Sequence, residues 1–158
     1  MNNILKYKYT AIYIVLIVLV NWGFTVTPLI PLPTGDMFPP MSLVVGFVFV
    51  SRDFAQREIG HSVIVAMLVG AVLSYFMADP YVALASLVAF SISEGADWAI
   101  YTWTKKPFAQ RILLSSIAST PIDSAVFLAM IGHLSATAVV VMTLSKMIGA
   151  IIIWKIVR

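Results

Sequence analysis

The sequence predicts an all-α integral membrane protein of six transmembrane helices with both termini in the cytoplasm, and three observations carry that prediction. The first is composition. Of 158 residues, 61% are hydrophobic and only 11% charged, against about a quarter charged in soluble domains, and the mean hydropathy is +0.98. The second is segmentation: long apolar runs recur, and with roughly 20 residues per spanning helix about five to seven of them exhaust the chain as a single domain. The third is where charge falls. Lys6, Lys8, Arg57, Lys105, Lys106, Arg111, Lys155 and Arg158 collect on one side of the predicted spans, whereas the opposite loops hold Asp36, Asp79 and His133 without Lys or Arg. Basic loops stay in the cytoplasm, so a multi-pass protein of the cytoplasmic (inner) membrane is expected.

The elements follow in order. The first span is expected at residues 9–27. Lys6 and Lys8 ahead of an apolar run resemble a signal peptide, but no small-residue cleavage site follows, so the segment reads as a retained helix. Its outer end carries Asn21, Trp22 and Thr25, a polar and aromatic set suited to an interface. Five of the eight prolines then fall between Pro28 and Pro40. Because proline fixes φ and removes a donor, residues 28–40 read as an extended outer loop. Leu29, Ile30, Leu32 and Phe38 should press it against the bundle, as a lid or as a passive connector.

The second span is expected at 41–59 and the third at 63–78, where Ala66, Gly70 and Ser74 recur every fourth residue and form a small-residue seam for close helix approach. A turn at Asp79 and Pro80 leads to the fourth, 81–103. Lys105, Lys106 and Pro107 separate it from the fifth, 108–131, and Gly132 and His133 turn the chain into the sixth, 136–156.

Arg52, Asp53, Glu94, Asp97, Asp123 and Lys146 all lie within these predicted spans. Each costs about 2.5–3.5 kcal/mol if isolated at the bilayer centre, and six such charges together would exceed the roughly 5–15 kcal/mol that holds a domain together. They must face one another or a wet cavity. Helical geometry supports this: Phe90, Glu94, Asp97, Trp98 and Tyr101 share about 100° of arc on the fourth span, and Ser116, Ser119, Thr120, Asp123 and Phe127 a similar arc on the fifth. Phe49, Arg52, Asp53 and Gln56 share a face of the second, where Asp53 and Arg57 form a favourable i,i+4 pair. Pro121 should loosen the helix beside Asp123.

Acids outnumber bases four to two among those six residues. Either arginines reach inward, an acid is held protonated by burial, or something donor-rich or cationic sits between them. A binding site is expected over polar glue between helices. Catalysis is not expected. There is no cysteine, no H-E-x-x-H, and His61 and His133 fall at opposite faces, so neither a cofactor nor a metal site is anticipated.

The stretches F-V-F-V-S-R-D-F-A-Q-R-E-I-G (Phe47 to Gly60), S-E-G-A-D (Ser93 to Asp97), S-T-P-I-D-S-A-V-F (Ser119 to Phe127) and S-K-M-I (Ser145 to Ile148) resemble the vitamin uptake transporter family, also called the queuosine precursor transporters. The resemblance implies a six-helix fold like that of the substrate-binding components of energy-coupling factor transporters. It also implies import of 7-cyano-7-deazaguanine or a related deazapurine. Asp53, Glu94, Asp97, Asp123 and Lys146 match its acidic and basic motif positions, and a deazaguanine edge suits carboxylate acceptors while its ring suits aromatic stacking.

The expected substrate-binding set is therefore Glu94, Asp97, Asp123, Lys146, Asp53, Arg52, Phe90, Trp98, Tyr101, Ser119 and Thr120, with Lys146 and Arg52 neutralising the acids in the empty site. The lipid bilayer and the solute are the expected partners, and no nucleic acid is. A coupling proton, a separate ATP-driven module and a homo-oligomer stay open. The chain has no phosphate-binding G-x-x-x-x-G-K-[ST] loop, so ATP use would need that module. The rival readings are a binding component for another vitamin and a non-transporting scaffold whose charges only pair.

Overall fold

The computed structural model describes residues 7–104 and 106–157, with the side chains of Trp98, Tyr101 and Thr102 outside that description. The α1 helix is Lys8–Val26, and the short strands β1 (Ile30–Pro31) and β2 (Met37–Phe38) follow. Next come α2 (Ser42–Ile59), a 3-10 turn (Gly60–Ser62), α3 (Val63–Met77), α4 (Pro80–Trp103), α5 (Phe108–Met130) and α6 (Ala136–Val157). The protein is all-α apart from the two-residue strands. Asp79 caps α4, accepting from the amides of Tyr81 and Val82, with Pro80 in the first turn where its missing N–H costs nothing. Pro121 sits inside α5, which nevertheless runs unbroken for 23 residues.

Among the described residues, four helical stretches are long and apolar enough to cross a membrane: Lys8–Val26, Ser42–Met77, Phe108–Met130 and Ala136–Val157. They mark a multi-pass membrane protein. The expectation of six spans is corrected. The α2 helix runs into α3 through one 3-10 turn with no loop between them, so that among the described residues the helical stretches unbroken by a loop number five, although the chain folds back at that turn. At 15 residues, α3 alone is about 22 Å long, short of a core of roughly 30 Å. The α4 helix, some of whose side chains lie outside the described residues, is not among the four.

The chain reverses at Gly60, whose φ of +61° lies where glycine is favoured. Glu58, at the end of α2, reaches the start of α1, accepting from the Thr10 amide at 2.8 Å and its hydroxyl at 2.7 Å. Asn21, near the end of α1, donates to Ser74 at 3.0 Å near the end of α3. Thus α1 packs on both arms of the α2–α3 hairpin. The seam of Ala66, Gly70 and Ser74 is buried there, with Gly70 against Ile17.

The other arm of the fold joins α4 to α5, α5 to α6 and α6 back to α2. At the α2–α6 crossing Gly46 faces the Lys146 backbone and Gly149 faces Gly46 and Phe47, while Ser42 and Ser145 share a hydroxyl contact of 2.7 Å. Small residues let backbones approach where lipid removes the usual hydrophobic drive.

Residues 28–40, expected as an extended loop, close into an antiparallel pair of Ile30 with Phe38 and Pro31 with Met37, and β2 rests on α6. Gly35, at φ +86°, makes the turn. Thr34 donates to Asp36 at 2.7 Å, which holds that carboxyl below its ordinary titration range, with Ser135 contributing in the same direction.

One end of the bundle gathers the start of α1, the end of α2, the start of α5 and the end of α6. There Phe54 contacts both Tyr9 and Phe108, each at 5.2 Å, and Arg57, Phe108, Trp154 and Val157 line one cleft. Lys8, Arg111 and Lys155 lie in the helix turns that meet here. Thr27, Pro39, Tyr81, Ile131 and His133 line a cleft at the opposite end. Lys6, Lys105 and Arg158 of the expected basic set lie outside the described residues.

Candidate functional site

The site begins with Arg52, seven residues before the end of α2 and only 2% exposed. An arginine stays charged in proteins, so a guanidinium at this depth must find acceptors. The α4 helix supplies two of them, Glu94 and Asp97, one turn apart on one face. The Nε and one terminal nitrogen of Arg52 both donate to Glu94 Oε2, at 2.9 and 2.7 Å. The other terminal nitrogen donates to Asp53 Oδ1 at 2.9 Å and to Asp97 Oδ2. Three carboxylates thus surround one guanidinium, and Asp53 and Asp97 are as buried as Arg52 itself. Tyr13 of α1, fully buried, lies within electrostatic reach of Glu94, Arg52 and Asp53.

The expected pairing of Asp53 with Arg57 is not made. Asp53 bonds its chain neighbour Arg52, and the Arg57 guanidinium lies over the Phe108 ring at 5.0 Å. Position i+1 does not normally face i on a helix. Here the long arginine side chain turns back from α4 far enough to meet the adjacent carboxylate.

A second pair lies deeper between α5 and α6. Lys146 Nζ, with no exposed surface, donates to Asp123 Oδ2 at 2.5 Å and to Ser124 at 3.1 Å. Asp123 Oδ1 and the Thr143 hydroxyl are buried without a hydrogen-bond partner among the described residues. The lysine is held in place by its own backbone, which packs on Gly46 of α2.

Beside the Arg52 cluster is a cavity of about 420 Å³ between α2, the turn, α3 and α4. Arg52, Gln56, Glu94 and His61 form its polar wall, and Val63, Ile64, Met67 and Leu68 face them. Gln56 is 7% exposed, and its Oε1 has no partner. Both bonds that Arg52 makes to Glu94 end on Oε2, which leaves Oε1 as an acceptor. The cavity therefore sets Arg52, Gln56 and Glu94 against an apolar wall, in a volume suited to a small organic molecule. Among the described residues, no group of three His, Cys, Asp and Glu side chains is placed to hold a metal ion. In the acidic cluster the guanidinium occupies the centre.

The structure sorts the expected site residues into several places. Arg52, Asp53, Glu94 and Asp97 come together, and Arg52 and Glu94 reach the cavity. Asp123 and Lys146 form the separate pair. Ser119 and Thr120 donate to the Ser115 and Ser116 carbonyls of their own helix, at 2.8 and 2.7 Å. Phe90 packs on Phe49 at 5.3 Å within the core. Trp98 and Tyr101 were expected to stack on a ligand, and their side chains lie outside the described residues.

Sequence reasoning had put Gln56 on the right face of α2 but not in the site, and it missed Tyr13, Ser124 and the α3 wall. Nothing polar marks that wall in the sequence. Comparison of the chain with protein-family models, with curated proteins and with solved structures finds no match.

Proposed function

We propose that this chain imports a small, flat, donor-rich solute, 7-cyano-7-deazaguanine or a related deazapurine, across the cytoplasmic membrane. The observation that supports this best is the Glu94 carboxylate, with one oxygen not bonded to Arg52, in the lining of an apolar cavity. A deazaguanine presents ring N–H and amino donors along one edge, and a carboxylate accepts such an edge well. The motif resemblance from Phe47 to Ile148 points to the same solute. Val63, Ile64, Met67 and Leu68 give the ring an aliphatic wall. With Arg57, Arg111 and Lys155 in the cytoplasm, the cavity, which includes His61 from the turn, opens nearer the cytoplasmic end.

A second reading has one observation in its favour. Each carboxylate of Asp53, Glu94, Asp97 and Asp123 has a cationic partner, as a scaffold of structural ion pairs would show. Binding separates the two. Loss of one charge-assisted hydrogen bond costs about 1.5–3 kcal/mol, so Glu94→Gln should weaken deazapurine binding by about 10- to 100-fold while the protein stays folded. Uptake of labelled deazapurine by cells unable to make it should depend on the chain and fall in this variant. Uptake independent of the chain, or affinity unchanged in Glu94→Gln, removes the proposed importer. Co-purification of an ATPase would make the chain the binding component of a larger transporter.

A further inference from the structure

We infer that the Arg52 cluster stores protons when the cavity is empty and surrenders one when a solute is held at Glu94, so that solute binding and proton release are coupled. The coupling rests on the functional reading above. The storage rests on geometry alone. Asp53, Glu94 and Asp97 share one guanidinium, which leaves two negative charges in excess if all three are ionised. Arginine does not titrate in proteins, so the acids alone can remove that excess. Like charges confined together cannot all ionise in a dry site.

The groups facing the cluster from every neighbouring element leave the excess in place. Tyr13 comes from α1 and is neutral, Gln56 from α2 is neutral, and α3 presents Val63, Ile64, Met67 and Leu68. His61, in the turn, is exposed at the mouth of the cavity. Asp123 on α5 lies within electrostatic reach of Glu94, but its charge is already matched by Lys146 on α6. A cavity of about 420 Å³ lined by Arg52 and Glu94 lies in the same place, so a solute held there would touch the cluster directly.

The step balances simply. Glu94 protonated on Oε1, the oxygen that Arg52 does not use, turns a donor toward a solute N–H and cannot receive it well. Ionised, it can. Binding therefore favours loss of its proton to water at the mouth, and the bound solute's N–H groups stabilise the carboxylate left behind. By linkage, affinity for the solute falls as the medium is acidified.

Two measurements on the purified full chain in lipid nanodiscs test this. Infrared spectroscopy of the empty protein at neutral pH should show the carbonyl stretch of protonated carboxylic acids. Glu94→Gln or Asp97→Asn each removes one negative charge, so the stored protons fall from two to about one and the signal should drop by about half in either variant. Glu58→Gln, whose carboxylate bonds the start of α1 and not the cluster, should leave it unchanged. Absence of the signal, or a signal that neither cluster variant lowers, overturns proton storage.

Addition of 7-cyano-7-deazaguanine in weak buffer should release about one proton per molecule bound, read with an indicator dye, and none in Glu94→Gln. Binding without release overturns the coupling. If the compound does not bind at all, the importer reading and the coupling fail together, while the infrared result still decides storage.

Discussion

Lys146→Met tests the pair at the centre of the bundle. The methionine matches the lysine stem in length and apolar volume, so packing changes little. What changes is charge. Lys146 is fully buried and Asp123 is 4% exposed. Asp123 Oδ1 already has no partner, so the substitution leaves both oxygens unmatched and also removes the donor to Ser124. Breaking a buried pair from one side costs about 3–5 kcal/mol, about a fifth or more of a typical domain's stability.

Adding Asp123→Asn should recover about 2 kcal/mol, because a buried amide without a partner costs about 1–3 kcal/mol where a bare carboxylate costs more. Equilibrium unfolding in bicelles, followed by tryptophan fluorescence, measures all four corners of the cycle. A single variant within about 1 kcal/mol of the parent, or a double variant that equals the sum of the singles, would refute the claim that this pair is dry and mutually dependent.

Three further outcomes are expected from the helix contacts. A Cβ at Gly149 would lie 2.8 Å from the Gly46 carbonyl carbon and 2.9 Å from the Phe47 nitrogen. Backbone cannot give way there, so Gly149→Ala should cost about 1–3 kcal/mol by the same unfolding assay. Gly95→Ala meets nothing within 4 Å and should be neutral or stabilising by up to about 1 kcal/mol. Glu58→Ala removes the side chain that caps α1 from the end of α2. It should cost about 0.5–2 kcal/mol and speed hydrogen exchange at the Tyr9 and Thr10 amides, a change whose absence would show that the cap is not formed.

Much of the architecture was legible because lipid restricts what a chain can do. With 61% hydrophobic residues, backbone polar groups must be satisfied within helices, so the helix positions could be read from apolar runs and the breaks from Pro28 to Pro40, Asp79 and Gly132. The seam of Ala66, Gly70 and Ser74 was legible for the same reason, since only small side chains let helices meet this closely. The count of spans was not. Whether α2 and α3 are parted by a loop depends on a single turn at Gly60, which periodicity alone does not weigh.

The candidate site divides along the same line. That Arg52, Asp53, Glu94, Asp97, Asp123 and Lys146 must find partners follows from the sequence, because isolated charge in hydrocarbon is too costly. Which partner each finds does not follow. Helical phase places a residue on a face but says nothing of which helix lies opposite. Tertiary packing decided that Arg52 takes three acids while Lys146 takes one. It also decided that Ser119 and Thr120 turn to their own backbone, and that the cavity is closed by an apolar wall from α3. The physical reason is that burial cost belongs to each residue alone, whereas its compensation belongs to pairs brought together by the helix crossings.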